Sequence, residues 1–266
     1  MCFSEIDWDR PWLARFRAIG ECLTAHDDWI AAASARAVKQ RLCNSFGHPI
    51  RFVPQHALPA STHYESYIAA TGEVPTRDNL HDFFNALVWL HFPQTKRTLN
   101  RLQAEALDQS GSRHQGEEQR HQRGPQRDAA TLFDENAAIF LTYEASLLQA
   151  LREHDWASTL QRSSAAFFSK ADVILFGHAL IEKLVTPYKS ITAHVWAIQL
   201  EPSESLLTDA LQLAVLDQRL ASELNSGFDN SAFCHLPVLG VPGWWEGQDA
   251  DFYADSEVFR PKRQHA

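Results

Sequence analysis

The chain has 266 residues, 45% of them hydrophobic, and a formal charge of -9. That is enough apolar content for one large or two small folded units, and too much for wholesale disorder. The acidic balance argues against a general affinity for nucleic-acid backbone, which needs concentrated Lys and Arg. No window approaches the roughly 20 apolar residues that span a bilayer, and MCFSEIDWDRPW lacks the basic-then-apolar pattern of a secretory leader, so a cytoplasmic protein without a membrane partner is expected.

Residues 1–46 read as an N-terminal helical segment. Pro11 suits a first helical turn, Trp12, Leu13, Phe16 and Ile19 recur at helix spacing, and a second helix is expected from Asp28 to about Leu42. Cys2, Cys22, Cys43 and Cys234 are scattered without CxxC spacing, which implies neither a zinc ribbon nor a disulfide framework. The main domain is expected over 47–262. It opens with Gly47, Pro49, Pro54, Pro59, Gly72 and Pro75, read as an irregular or short-strand region.

The next stretch, TRDNLHDFFNALVWLHFPQTKRTLN at 76–100, predicts a helix capped by Thr76 or Asp78 and stopped at Pro93. At 100° per residue, Leu80, Phe83, Phe84, Ala86, Leu87, Val88 and Leu90 fill more than half its circumference. Asp78, His81, Asp82 and Asn85 form one narrow polar stripe at i, i+3, i+4 and i+7. A carboxylate one turn from an imidazole can fix its tautomer and raise its basicity, and the same stripe offers oxygen and nitrogen ligands to a divalent metal. The bland alternative is that Asp78 caps, Asp82 favours the positive helix end and the other two meet water. His91, in the last turn, is expected to satisfy the helix end. Lys96, Arg97, Asn100 and Arg101 are a basic group that a phosphate or carboxylate would suit, although a solvated face explains them as well.

Residues 108–128, DQSGSRHQGEEQRHQRGPQRD, contain no aliphatic or aromatic side chain and read as a long, flexible polar insertion loop. Beyond it, Asp134-Glu135-Asn136 looks like a turn at the entrance to a strand AAIFLT, followed by a helix from about Ala145 to Glu153. Val173–Phe176 reads as a strand ending at Gly177, HALIEKLV as a helix carrying His178 and Glu182 one turn apart, and 190–200 as another strand. Ser203 or Ser205 can cap an amphipathic helix running to about Leu224, with Gly227 just past it. In the Pro/Gly-rich tail, Trp244, Trp245, Phe252 and Tyr253 alternate with Asp249, Asp251, Asp255 and Arg260. Such a loop can stack a planar or sugar ligand or clamp the tail onto the body. The fold class is therefore α+β: a predominantly helical single domain with a small sheet. No Walker loop, GxGxxG, HExxH, GxSxG or Ser-xx-Lys pattern occurs.

In order, PTRDNLHDFFNALVWLHFPQTKRTLN, RDAATLFDENAA, FGHALIEKL, LPVLGVPGWW and FYADSEVFRP resemble a bacterial family known only as domain of unknown function 3025, over residues 50–262. The resemblance implies one shared domain and carries no activity to transfer. Its segments hold the polar positions already singled out: His81, Asp82, Asn85, Asp134, Glu135, His178, Glu182 and Arg260. The insertion is longer and more polar than the family pattern.

Two functional classes follow. One is a hydrolase-like enzyme acting on a small polar or phosphorylated compound. His81, Asp82, Asn85, Glu135, His178 and Glu182 would be its catalytic cleft, Arg77, Lys96, Trp244, Tyr253 and Arg260 its substrate contacts, and Asp78, His81, His178 and Glu182 the candidate ligands of a divalent metal. The other is a non-catalytic binding or assembly protein in which the same groups form a polar network. Convergence in an open site separates the first from the second.

Overall fold

The computed structural model describes residues 3–112, 124–201 and 210–262. The expected first helix begins as a 3-10 turn, Pro11–Leu13, and becomes α-helical only at α1 (Arg17–Thr24); Trp12, Leu13 and Phe16 are nonetheless buried. Helix α2 (Trp29–Lys39) is capped by Asp28, whose side chain accepts from the Ala31 amide. The Gly/Pro-punctuated region that follows is more regular than its sequence predicts. Strand β1 (Arg51–Pro54) pairs in parallel with β2 (Glu73–Thr76), and between them runs α3 (Tyr64–Thr71). The helix escapes notice because it is short and weakly amphipathic, with glycine and proline at its flanks. Gly72 ends it at φ 77, a left-handed C-cap that a side chain would strain.

Helix α4 (Leu80–His91) is the one the 76–100 pattern predicts, and all of Asp82–Leu90 is buried. Its cap is Asn79, not the expected Thr76 or Asp78, with the side chain accepting from the Asp82 amide. Pro93 both stops α4 and opens α5 (Pro93–Ser112), as suits a residue with a fixed φ and no N–H. Helix α6 (Pro125–Asn136) likewise has proline in its first turn. Thus 108–112 and 125–128, expected as loop, are helical, because the flanking helices run on past their apolar contacts; the centre of that segment, 113–123, lies outside the described residues.

The expected strand AAIFLT is β3 (Ala137–Thr142), buried along its whole length. It leads through three short helices, α7 (Ala145–Arg152), α8 (Trp156–Leu160) and α9 (Ser164–Phe168), to β4 (Ala171–Leu175). After α10 (His178–Lys183) come β5 (Thr192–Gln199), α11 (Ala210–Asn225), β6 (Cys234–Pro237) and α12 (Ala250–Ala254). The expected caps Ser203 and Ser205 lie outside the described residues. The four-stranded sheet has the order β4-β3-β5-β6, parallel at the centre between β3 and β5 and antiparallel at both flanks, with Ile139 opposite Ile174 on one side and Trp196 on the other. A central strand covered on both faces must be continuously apolar, which explains why AAIFLT shows no alternation. One hydrophobic cluster joins the N-terminal Trp12, Phe16 and Trp29 to Phe83 and Phe84 of α4 and to Phe133, Phe140 and Phe176 around the sheet. No helix among the described residues is long and apolar enough to cross a membrane.

Candidate metal and acid/base site

The site forms where α4, α6 and α10 meet. Gly177 makes the meeting close: a Cβ there would lie 2.4 Å from the Asn136 amide nitrogen, 2.5 Å from that of Ala137 and 2.5 Å from the Glu135 carbonyl oxygen. Only glycine lets the start of α10 sit against the end of α6, and this places His178, the first residue of α10, beside Glu135 in the last turn of α6.

His81, in the first turn of α4, completes the group. His178 Nε2 lies 3.1 Å from His81 Nε2 and 3.4 Å from a Glu135 carboxylate oxygen, and the three ligand atoms all fall within 4.8 Å of one another. On its other side, His81 Nδ1 is 2.9 Å from Glu182 Oε2. Glu182, one turn beyond His178 on α10, crosses the seam and orients His81. In neutral His81 the Nδ1–H then donates to Glu182, leaving the Nε2 lone pair pointed at His178.

Two imidazole nitrogens facing each other need a proton or a cation between them. His178 is only 4% exposed at its side chain, and its burial, reinforced by Lys96 and His81, lowers its pKa to about 4 despite nearby Asp134. A neutral His178 is a good ligand. Its Nδ1 is buried without a well-formed hydrogen bond, although the backbone carbonyl of Asp134 acts on it. Turning the tautomer so that Nδ1 carries the proton toward that carbonyl frees Nε2 to bind a metal, the usual outer-shell arrangement. The separations fit as well: with bonds of about 2.0–2.1 Å, ligand atoms of a tetrahedral zinc stand about 3.3 Å apart. The side of the group away from the core is open, since the His81 side chain is 32% exposed and Glu135 and Glu182 are also partly exposed. Burial, with Asp134 next in importance, raises the Glu135 pKa.

Behind the histidines lies a second, inner layer. Lys96, expected either on a solvated basic face or as a substrate contact, is 4% exposed at its side chain. It donates to Asp134 at 2.5 Å and to Asn85 at 2.8 Å, with its ammonium 5.4 Å from the Trp89 ring centre. The expected turn around Asp134 is in fact the last turn of α6, and the charge is tolerated there because Lys96 meets it. Burial pushes the Asp134 pKa up, but Lys96 and His178 outweigh that and hold it below the ordinary value. Asn85 passes the chain outward by donating to the Tyr64 hydroxyl at 3.1 Å, and Asn100 donates to Glu65 at 2.7 Å. Burial followed by the Asp134 charge raises the Glu65 pKa to about 7. Tyr64 and Glu65 belong to the unforeseen helix α3, and no local pattern points to them.

The predicted polar stripe therefore divides. His81 reaches the open group and Asn85 the inner layer. Asp82 is buried and accepts from the Arg77 amide at 2.6 Å and from its guanidinium at 3.1 Å; Asp78, a candidate metal ligand, instead accepts from the Trp29 indole at 2.8 Å. Arg77 keeps a 59% exposed side chain. His91 sits as expected, with Nδ1 2.7 Å from the Leu87 carbonyl oxygen of its own helix.

The predicted tail contacts are not brought to this group. Trp244 packs 6.1 Å from Trp12, and the Tyr253 hydroxyl donates to the Gly240 carbonyl at 2.9 Å. Arg260 donates to the Glu257 carbonyl, while its own carbonyl accepts from the Trp156 indole.

Neither curated proteins nor solved structures provide a match to the chain. The pattern of a family described as "Protein of unknown function (DUF3025)" matches residues 50–263, a span that holds every residue of the His81, Glu135, His178 and Glu182 group, and the chain belongs to that family.

Proposed function

We propose that this protein is a metal-assisted hydrolase of small polar compounds, with His81, His178 and Glu135 as the protein ligands and Glu182 holding His81 in the ligating tautomer. The observation that carries the reading is the pair of facing Nε2 atoms 3.1 Å apart with a carboxylate oxygen 3.4 Å from one of them. Two imidazoles and one carboxylate are the ligand set of catalytic zinc sites, which keep one position open. An ion held there supplies Lewis acidity and a water nucleophile near neutral pH. With Glu135 a ligand, Glu182, partly exposed beside His81, is the carboxylate that can accept or return a proton at its second oxygen. The outer edge of Arg77 offers hydrogen bonds to a carboxylate or phosphate of the substrate while Asp82 fixes its inner edge. Lys96 has a different role, since Asp134 and Asn85 already engage it in the interior. The free thiols Cys22, Cys43 and Cys234 suit the reducing conditions of the cytoplasm.

A second reading, a purely structural polar network, fits the inner layer of Lys96, Asp134 and Asn85, where donors meet acceptors in the interior. The outer group does not fit it, because one of its buried nitrogens lacks a well-formed bond.

Elemental analysis of protein loaded with zinc and then desalted is expected to give close to one ion per chain in the wild type and little in His81→Ala or His178→Ala. No retained zinc in the wild type, or equal retention in the variants, removes the metal and with it the proposed reaction class.

A further inference from the structure

At the other end of α4 from His81, about 15 Å away along ten residues of helix, a cleft of about 740 Å³ opens around His91. Phe16, Ile19, Val173, Phe168, Leu213 and Trp244 form apolar walls. Its volume lies within the range of about 300–1,000 Å³ that holds small organic ligands. It shares no lining residue with the histidine and glutamate group.

Ser164 and five larger side chains with polar atoms interrupt those walls: Trp12, Arg15, Arg36, His91 and Asp172. Three of them have partners within the protein. Arg15 is ion-paired with Asp172, and the two ring nitrogens of His91 face the backbone carbonyls of Leu87 and Arg15. Arg36 and Trp12 differ. The Nε of Arg36 and the indole Nε1 of Trp12 are both buried without an acceptor, and Trp12 as a whole is 3% exposed. A donor withdrawn from water and left unpaired is costly, and nearly all such groups in folded proteins find an acceptor. Two of them beside one cavity call for an acceptor from outside.

The charges specify its kind. Two guanidinium groups, Arg15 and Arg36, stand against one carboxylate, Asp172, and burial keeps His91 neutral by lowering its pKa. Among the described residues, the lining carries one positive charge that its own residues do not balance, amid aromatic and aliphatic surface.

We infer that this cleft binds an amphipathic monoanion, a carboxylate seated on the Arg36 guanidinium and turned toward the Trp12 indole, with an apolar body lying against Phe16, Ile19 and Trp244. In that complex the Arg36 guanidinium and the Trp12 indole turn their N–H groups to the carboxylate, whose two oxygens accept one hydrogen bond from each. Because the cleft and the histidine group are separate, the inference stands whether or not a metal is bound.

Decanoate and decanol serve as probes, alike in their apolar chain and different in charge. Calorimetric titration of the full-length protein is expected to show one decanoate bound per chain and decanol at least tenfold weaker. Arg36→Gln should weaken decanoate about tenfold while leaving decanol unchanged, consistent with loss of a charge-assisted pair. Trp12→Phe, which keeps the ring and deletes the donor, should weaken decanoate by a smaller factor. His178→Ala should leave decanoate binding intact, even where it abolishes metal uptake. Thermal unfolding of each variant identifies any that fails to fold, and Arg36→Lys, expected to fall between wild type and Arg36→Gln, then takes its place. The inference is overturned if the wild type does not bind decanoate, if decanol binds equally well, or if decanoate affinity is indifferent to Arg36.

Discussion

The seam between α4 and α10 and the tail from Pro237 to Arg260 both mix charge with aromatic rings, yet they use the mixture in opposite ways. In the tail, Phe252, Tyr253 and Phe259 lie 5.1–5.4 Å apart, Lys189 sits over Phe252 while bonding Asp255, and the one buried hydroxyl donates to a carbonyl. Lys189, Asp255 and Tyr253 find their polar partners within the protein, and the rings of Phe252, Tyr253 and Phe259 are packing. At the seam, His81, Glu135 and Glu182 keep exposed surface and His178 Nδ1 keeps an imperfect environment. Aromatic content does not mark a site; polar groups whose bonding remains incomplete do.

The comparison can be broken most forcefully at its two buried anchors. Lys96→Met removes the ammonium that faces Asp134 and is expected to destabilise the protein by about 3–5 kcal/mol, as losing one partner of a buried pair does. Lys96→Met with Asp134→Leu should regain most of that loss in denaturant unfolding, which separates the missing pair from the stranded charge. Trp244→Ala should cost about 3 kcal/mol by opening a cavity beside Trp12 and leave zinc retention unaltered. If Trp244→Ala abolished zinc uptake at full folding, the tail would belong to the site and the contrast would fail.

A sharper test lies within the seam. Glu182→Gln keeps the shape of the side chain but weakens its hold on His81 Nδ1. A loss of about 10–100-fold in zinc affinity is expected, as for other outer-shell partners, with little change in unfolding midpoint because Glu182 is partly exposed. Unchanged zinc affinity would leave Glu182 a surface ion pair and nothing more.

Much of this was legible in the sequence, for a physical reason. The α4 stripe, β3, β4, β5 and the His178/Glu182 spacing are local patterns, and local periodicity decides which residues share a face. The pairing across elements is a different matter. Glu182 serving His81, Lys96 meeting Asp134, and Asp82 turning back to Arg77 depend on how helices dock. The docking itself depends on Gly177, whose importance comes from three backbone atoms of another element. Lys96 read as a surface residue because its helix is polar on average; its partner is 38 residues away. The tail rings were readable as packing or as a platform, and only their neighbours distinguish the two.

The smallest expected effect concerns Glu65, which lies behind the seam and belongs to neither region's open surface. Its pKa is raised to about 7, first by burial and then by the Asp134 charge. The folded state therefore holds this proton more tightly than the unfolded chain, where the carboxyl titrates near 4.5. The stability this contributes is complete below about pH 4.5 and is lost as the pH rises to about 7; above that the folded carboxyl is ionised too and the loss stops growing. Glu65→Gln retains the acceptor for Asn100 and cannot ionise. Urea unfolding from pH 5 to pH 8 should show the wild type losing about 1–2 kcal/mol that the variant keeps. Because the difference is taken between two proteins at each pH, the opposite slope from His178, whose lowered pKa makes stability fall as the pH drops from 6.5 to about 4, cancels. Parallel pH profiles would mean that Glu65 reaches water freely, and the inner layer would then end at Asn85.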